Sequence, residues 1–511
     1  MDDSAPRQFE VLLTAQEAFP ALEAQFLQAE REIIAGFRIF DPWTRLRSPE
    51  ARRVGTTWFD LIVATLDRGV RITLTLSDFD PVARPGMHAY AWACVRGLLA
   101  AGEASRNPDL LSARASMHPA RVGLLPRFLL WPRSIKEINE NLAQVNRKSS
   151  AEKDAYLTHS PYLRPMLRWD GDRIVPRFAP PPLVPVTHHQ KLAVFDEKTL
   201  YVGGLDLNDR RYDTPEHERA ADQTWHDTQV LVSGPIAAEA AAHLRTFEGV
   251  TLGADPAPKG NLLRTISAKR GFSLASLSPK PVVRELAEAH AAQIAQSKSL
   301  IYLETQFFRD RTLAKQLARR AAQVPELALI LILPAAPEDA AFDDAPGSDV
   351  AYGEHLQIKS LEIIKKAFGK RLFVGSPAQL RPAANNGRAT HFGAPLVYLH
   401  AKVSIFDDRA GIVSSANLNG RSMSWDTEVG VQTGIKEDVE QLKTRCFDHW
   451  LGADAGPEYF ACDTACAAWA ARAADNAQRR PEQRRGFILP YVADAAQELA
   501  YNLPGVPEEM A

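Results

Sequence analysis

The sequence predicts an α/β protein built from two similar lobes that share one site. Three observations carry that expectation. Strand and helix signals alternate from end to end. The 511 residues exceed what one small core organises. One short motif occurs twice, at residue 189 and again at residue 400, each time followed by the same downstream pattern.

Taken in order, an amphipathic pattern over residues 17–31 predicts a helix, and the aliphatic run 32–40 predicts a strand. Residues 71–76 read as a second strand, ending in Ser77-Asp78-Phe79-Asp80. Residues 119–187, rich in Pro and Arg, read as irregular. Residues 111–190 hold 12 Lys and Arg against 6 Asp and Glu, a basic stretch in a nearly neutral chain. Inside it, residues 124–133 (LLPRFLLWPR) allow two readings: a buried connector, or an apolar and basic surface that meets phospholipid head groups. Short strands follow at 191–195 and 200–202, and a Pro-rich break at 255–260 marks a lobe boundary. Beyond it come a helix at 282–296, strands at 300–303 and 327–333, a helix at 356–368, and strands at 371–374, 403–406 and 411–413. The expected division is therefore a first lobe over 1–255, a second over 256–452, and a helical extension over 453–511.

Composition excludes several classes. Lys and Arg number 60 against 62 Asp and Glu, a net charge of −2, with 45% hydrophobic and 24% charged residues. That is the balance of an ordinary globular protein, not of a collagen, a coiled-coil rod or a disordered chain. It argues against a surface that grips nucleic acid throughout, though not against a local basic groove. Four cysteines are too few for a disulfide framework in a chain of this length. Residues 1–7 are acidic and lack the apolar core of a secretory signal, and no apolar stretch of about 18 residues predicts a spanning helix.

The chemistry lies in the repeat. His189-Gln190-Lys191 runs through four residues to Asp196, and His400-Ala401-Lys402 does the same to Asp407. After each aspartate, six residues lead to a pair of small residues, Gly203-Gly204 and Ser414-Ser415. In an extended segment, residues i and i+2 project from one face, so each histidine points with its lysine. Two lobes related by approximate two-fold symmetry would bring both pairs into one cleft. Two imidazoles and two ammonium groups suit a phosphodiester. The lysines neutralise the non-bridging oxygens, one imidazole attacks phosphorus, and the other handles the leaving-group proton. No cofactor or metal is called for. Asp196 and Asp407, one strand away from their histidines, are expected to serve the scaffold more than the chemistry.

With these residues in view, the chain resembles the phospholipase D superfamily, whose members carry two HxKxxxxD motifs. The likeness covers roughly residues 9–452. It is closest to the eukaryotic-type branch at Gly203-Gly204-Leu205-Asp206, at Trp225-His226-Asp227 followed by Gly234-Pro235, at residues 301–308, and from Ser414-Ser415-Ala416-Asn417 to Asp426-Thr427-Glu428. The resemblance implies two phospholipase D-like lobes, each an α/β sandwich, with pseudo-two-fold symmetry and one active site at their interface. It implies His189 as nucleophile, giving a phosphohistidine, and His400 as general acid and base. Lys191 and Lys402 match phosphate-binding lysines. Gly204, Asp206, Ser414, Ser415 and Asn417 match residues on the phosphate side. Glu428 takes the place of an acid that orients a motif histidine, and Asp227 that of its counterpart in the first lobe.

The activity so implied is a phospholipase D acting on phosphatidylcholine-like or phosphatidylethanolamine-like lipids, with transfer to alcohols competing with water. Two alternatives stand beside it: a cardiolipin synthase-like phosphatidyltransferase, and a phosphodiesterase acting on nucleic acid. The first motif opens at His189, which leaves little room before it for the lipid-targeting domains common in eukaryotic enzymes. The expected protein is a monomer that visits a membrane surface from the cytoplasm, or an effector exported without a cleaved signal, and binds no nucleic acid.

Overall fold

The computed structural model describes residues 8–342, 348–385, 387–493, 500–503 and 506–510. The acidic residues 1–7 lie outside the described residues. Two sheets organise the chain. The first has seven strands in the order Phe9–Leu13, Thr228–Ser233, Thr199–Gly203, Leu192–Phe195, Glu32–Phe37, Arg71–Ser77, Leu111–Ser116. The second has nine, with Lys280–Arg284 and Ile488–Pro490 at its edges, and its inner seven repeat that order: Leu262–Ala268, Glu428–Thr433, Ala410–Ser414, Lys402–Phe406, Leu300–Thr305, Ala328–Ile332, Leu372–Pro377. In each, three parallel strands at one end meet an antiparallel run at the other. The register repeats as well: Ile33 pairs with Phe195 in the first sheet, and Ile301 with Phe406 in the second. The duplication read from the motifs is thus a duplication of the whole sheet.

The strands are aliphatic on both faces because both faces are covered; Leu300–Thr305 and Ala328–Ile332 are buried at every position. One apolar cluster bridges the lobes. It joins Val194, Leu200 and Val230 of the first sheet to Tyr302, Val403, Ile405 and Val431 of the second, through helices Pro235–Leu252 and Lys436–Leu451. Each large side chain so buried stabilises by about 1.5–3 kcal/mol. The outer faces carry separate clusters, one around Phe26, Phe40 and Trp58, the other around Leu286, Leu317 and Leu361.

Two stretches depart from the sequence reading. Residues 119–187 are not irregular. They contain helices Leu124–Val145 and Ser150–His159 and a hairpin of Leu167–Asp170 with Arg173–Pro176. Pro132 sits inside the first helix, where a proline ordinarily ends one. The helix continues because Ser134, Ile138, Leu142 and Val145 form one buried stripe at helical spacing, packed with Val82, Leu157, Leu163 and Ile174. The tail is not only helical: after helix Ala465–Gln478, strand Ile488–Pro490 adds an antiparallel edge to Leu372–Pro377. Trp469 packs against Tyr302 and Phe447, so this segment belongs to the second lobe's core. Among the described residues, no helix is long and apolar enough to cross a membrane.

Candidate active site

Each motif histidine stands just before the central antiparallel strand of its lobe and is tied by backbone hydrogen bonds to another segment that carries an acid. His189 N–H donates to the Thr427 carbonyl at 2.9 Å, and His400 N–H donates to the His226 carbonyl at 2.8 Å. Thr427 precedes Glu428, and His226 precedes Asp227. The acids follow the same symmetry. His189 Nδ1 lies 2.9 Å from Glu428 Oε1 and 3.1 Å from Oε2, while His400 Nδ1 lies 2.6 Å from Asp227 Oδ2. Glu428, from the second lobe, holds the first lobe's histidine. Asp227, from the first lobe, holds the second lobe's. The site exists only when both lobes are assembled.

With each Nδ1 engaged by a carboxyl group, each Nε2 is the ring nitrogen left for chemistry. The lysines adopt one pose in both lobes: Lys191 Nζ donates to the His189 carbonyl, and Lys402 Nζ to the His400 carbonyl. Burial, then the charges of both lysines among other cations, hold His189 and His400 well below the usual imidazole range. Both histidines therefore sense the same pair of ammonium groups. Burial also lowers Lys191, and takes Lys402 down to about 7. It pushes Glu428 up to about 8 and Asp227 up to about 6. Every member of the cluster is thus biased toward its neutral form until an anion arrives to compensate the lysines.

The small residues have a geometric task. A Cβ on Gly204 would stand 2.2 Å from Asp227 Oδ1, and one on Gly203 would stand 1.9 Å from Gln229 Oε1. Glycine is what lets the acid of His400 lie against this backbone. In the second copy, Ser415 Oγ donates to Glu428, and the Val429 N–H donates to Ser415 Oγ at 3.1 Å. Ser414 Oγ accepts from the Ala416 N–H at 3.2 Å. Asn417 is buried, and its Oδ1 has no partner among the described residues. Asp206 Oδ1 accepts from the Ile39 N–H at 2.9 Å, and its negative charge supports Lys191 and Arg38.

Asp196 and Asp407 are engaged by backbone at the far ends of their motif strands. Asp196 accepts the N–H groups of Glu30, Arg31 and Glu32. Asp407 accepts those of Lys298, Ser299 and Leu300. Both sit in the left-handed region, at φ 54 and 55, and each closes the far end of its motif strand. Sequence reasoning missed three cations. Arg38 and Arg421 help depress His189, and Arg211 helps depress His400 while stacking 3.6 Å over the Trp225 ring. Trp225 in turn lies 4.5 Å from the His400 ring. None of the three arginines belongs to either motif, and no spacing rule flagged them.

Residues 291–450 match the family described as cardiolipin synthase, PLD-like domain. Similar proteins include Phospholipase D1 of Schizosaccharomyces pombe, 23% identical in an alignment 345 residues long that covers 49% of this chain and 25% of the yeast protein. Phospholipase D1 of Saccharomyces cerevisiae is 24% identical over 352 residues, covering 50% and 21%. Phospholipase D alpha 1 of Oryza sativa is 24% identical over 366 residues, covering 48% and 45%. The match thus spans less than half the length of each of these relatives. Among solved structures, phosphatidylserine synthase of Haemophilus influenzae aligns over 86% of this chain and 85% of its own, at 14% identity and a TM-score of 0.48. With its paired motifs, its doubled sheet and these relatives, the chain belongs to the phospholipase D superfamily.

Proposed function

We propose that the protein is a phospholipase D-type phosphodiesterase that releases the head group from phosphatidylcholine or phosphatidylethanolamine through a phosphohistidine. The observation that carries this reading is the crossed pair of carboxyl–imidazole contacts, each made at Nδ1, with a buried lysine bonded to the backbone carbonyl of each histidine. Nε2 keeps the lone pair that a nucleophile requires in the form with the ring proton on Nδ1 and Glu428 ionised, the form gained as pH rises through about 8. The His189 Nε2–P bond forms as the P–O bond to the head group breaks, and His400 Nε2 gives that oxygen its proton. The phosphodiester anion offsets the lysine charges that depress His400, so substrate binding itself favours the protonated acid. In the second step, water loses a proton to His400, its oxygen attacks phosphorus, and the N–P bond breaks to give phosphatidic acid. A primary alcohol in place of water gives the transferred ester.

An exposed apolar surface supports lipid over nucleic acid. Leu129 is 74% exposed, Phe178 93% and Phe272 86%, with Leu125, Phe128 and Leu274 beside them in sequence and also exposed. The Phe178 ring lies tilted against Trp131 at 4.7 Å, and the Leu125 N–H donates to the Leu274 carbonyl, so the pieces form one surface. Its frame leads to the site: the Val122 N–H donates to the Leu183 carbonyl, six residues before His189. Such a patch suits an interface of acyl chains. A phosphatidyl transfer between two lipids is the second reading, favoured by the family that residues 291–450 match.

The test is a head-group release panel on phosphatidylcholine, phosphatidylethanolamine and phosphatidylglycerol vesicles, with and without a primary alcohol. Free choline or ethanolamine, and a new phosphatidyl-alcohol when alcohol is present, is the expected result. Cardiolipin formed from phosphatidylglycerol alone would favour the second reading. DNA cleavage with no lipid turned over would overturn both.

A further inference from the structure

We propose that His217, His226 and His449 bind one divalent transition-metal ion of the Zn²⁺ type, directly behind the carboxylate that holds His400. One ring nitrogen from each of the three lies within 4.8 Å of the others. His217 Nε2 and His449 Nε2 are 3.0 Å apart. A tetrahedral Zn²⁺ with Zn–N bonds of about 2.0–2.1 Å sets its ligand nitrogens roughly 3.3 Å apart, so this pair already spans one edge of the tetrahedron. The residues come from three separate segments: the loop after Asp213, the bridge segment before Asp227, and helix Lys436–Leu451 of the second lobe.

Two further observations point to a ligand. His226 is fully buried, and among the described residues neither ring nitrogen makes an aligned hydrogen bond, although a carboxylate stands within reach of Nε2. Three adjoining imidazoles cannot satisfy one another with a proton each, whereas an ion accepts a lone pair from all three. The carboxylates behind the rings are also arranged as metal-site partners. Asp213 Oδ2 lies 2.7 Å from His217 Nδ1, which fixes the tautomer with the Nε2 lone pair toward His449. Glu304 Oε1 lies 3.1 Å from His226 Nε2. An all-imidazole set favours Zn²⁺, Co²⁺, Ni²⁺ or Cu²⁺ over the oxygen-seeking Ca²⁺ and Mg²⁺. A cavity of about 400 Å³ lined by His217, Gln379, Arg381, His449 and Phe487 supplies an entry path and room for a fourth ligand such as water.

The position gives such an ion a task. The His226 N–H donates to the Tyr398 carbonyl, and the His226 carbonyl accepts from the His400 N–H, both at 2.8 Å. In an extended segment neighbouring side chains project to opposite sides, so His226 faces the ion while Asp227 faces His400. An ion that fixes His226 therefore braces the backbone carrying the His400–Asp227 pair.

The experiment uses the full chain, stripped with a chelator and titrated with Co²⁺ while visible absorption is recorded, then with Zn²⁺ in competition. The expected result is one Co²⁺ per chain with the intense bands of a tetrahedral site, displaced by Zn²⁺, and a melting temperature raised by Zn²⁺. His217→Ala and His449→Gln should lose the bands, and Asp213→Asn should weaken binding 10- to 100-fold. His449 is partly exposed on the cavity wall, so His449→Gln is the variant expected to keep the metal-free melting temperature and circular dichroism of the parent. The proposal is overturned if the native chain binds no Co²⁺, if the spectrum is octahedral, or if folded His449→Gln binds as tightly as the parent. Loss of the bands in His189→Ala with retention in His449→Gln would also overturn it, by placing the ion in the active cleft.

Discussion

Gly204→Ala is the substitution in which the smallest added group should do the greatest damage. The new Cβ would stand 2.2 Å from Asp227 Oδ1, where ordinary contact begins at 3.4 Å, so the carboxylate must retreat by about 1.2 Å. Asp227 has no free direction. It is fully buried, its Oδ1 accepts from the Thr228 N–H at 2.9 Å, and its Oδ2 holds His400 Nδ1 at 2.6 Å. A retreat of that size breaks the contact that orients the second histidine. A misplacement of about 1 Å in a catalytic group costs about 10²-fold in rate, and overpacking costs about 1–3 kcal/mol in stability. The assay is head-group release from vesicles beside a thermal melt, with Gly86→Ala as control, since a Cβ there meets nothing within 4 Å. We expect kcat to fall about 10²-fold, KM to stay near the parent value, and the control to match the parent. A folded Gly204→Ala enzyme with parental kcat would refute the orienting role of Asp227.

The remaining predictions follow the same geometry. Glu428 carries its proton in the folded state up to about pH 8, against an ordinary 4.5. Between those values the folded chain binds one proton more than the unfolded chain. Stability therefore falls as pH rises through that window, by about 1.4 kcal/mol per pH unit from this group. Denaturant melts from pH 5 to 8 should show Glu428→Gln missing that slope; an unchanged slope would contradict the raised carboxyl. Asp407→Ala strands three backbone N–H groups and puts alanine at φ 55, so it should lose about 2–4 kcal/mol in a denaturant melt. Its folded fraction should turn over within a few-fold of the parent. Leu129→Asp with Phe178→Asp should weaken vesicle binding in a flotation assay by about 10- to 100-fold per residue. Hydrolysis of a soluble short-chain phosphodiester should be unaffected.

What could be read from the sequence was local. The strands at 71–76, 191–195, 300–303 and 403–406 announce themselves as aliphatic runs bounded by polar or turn residues, and the structure extends or trims each by a residue or two. The i, i+2 spacing placed each histidine with its lysine, and the duplicated motif implied the duplicated sheet. What stayed hidden was contact across long separations. Glu428 meets His189 across 239 residues and Asp227 meets His400 across 173, so nothing local says which acid serves which ring. The prolines at 126 and 132 concealed helix Leu124–Val145, whose evidence lay in the buried stripe further along. The imidazoles of residues 217, 226 and 449 have no common spacing, and only the packing of helix Lys436–Leu451 against the first lobe gathers them.

The central claim is that two lobes build one site in which His189 attacks phosphorus and His400 moves the proton. Rapid acid-free quenching of the His400→Ala chain with a short-chain phospholipid, followed by peptide mass spectrometry, tests it most directly. A phosphatidyl adduct on the peptide carrying His189, absent from His189→Ala, is the predicted result. An adduct on the peptide carrying residue 400 in His189→Ala, or steady turnover by either variant with no adduct on His189, would contradict it.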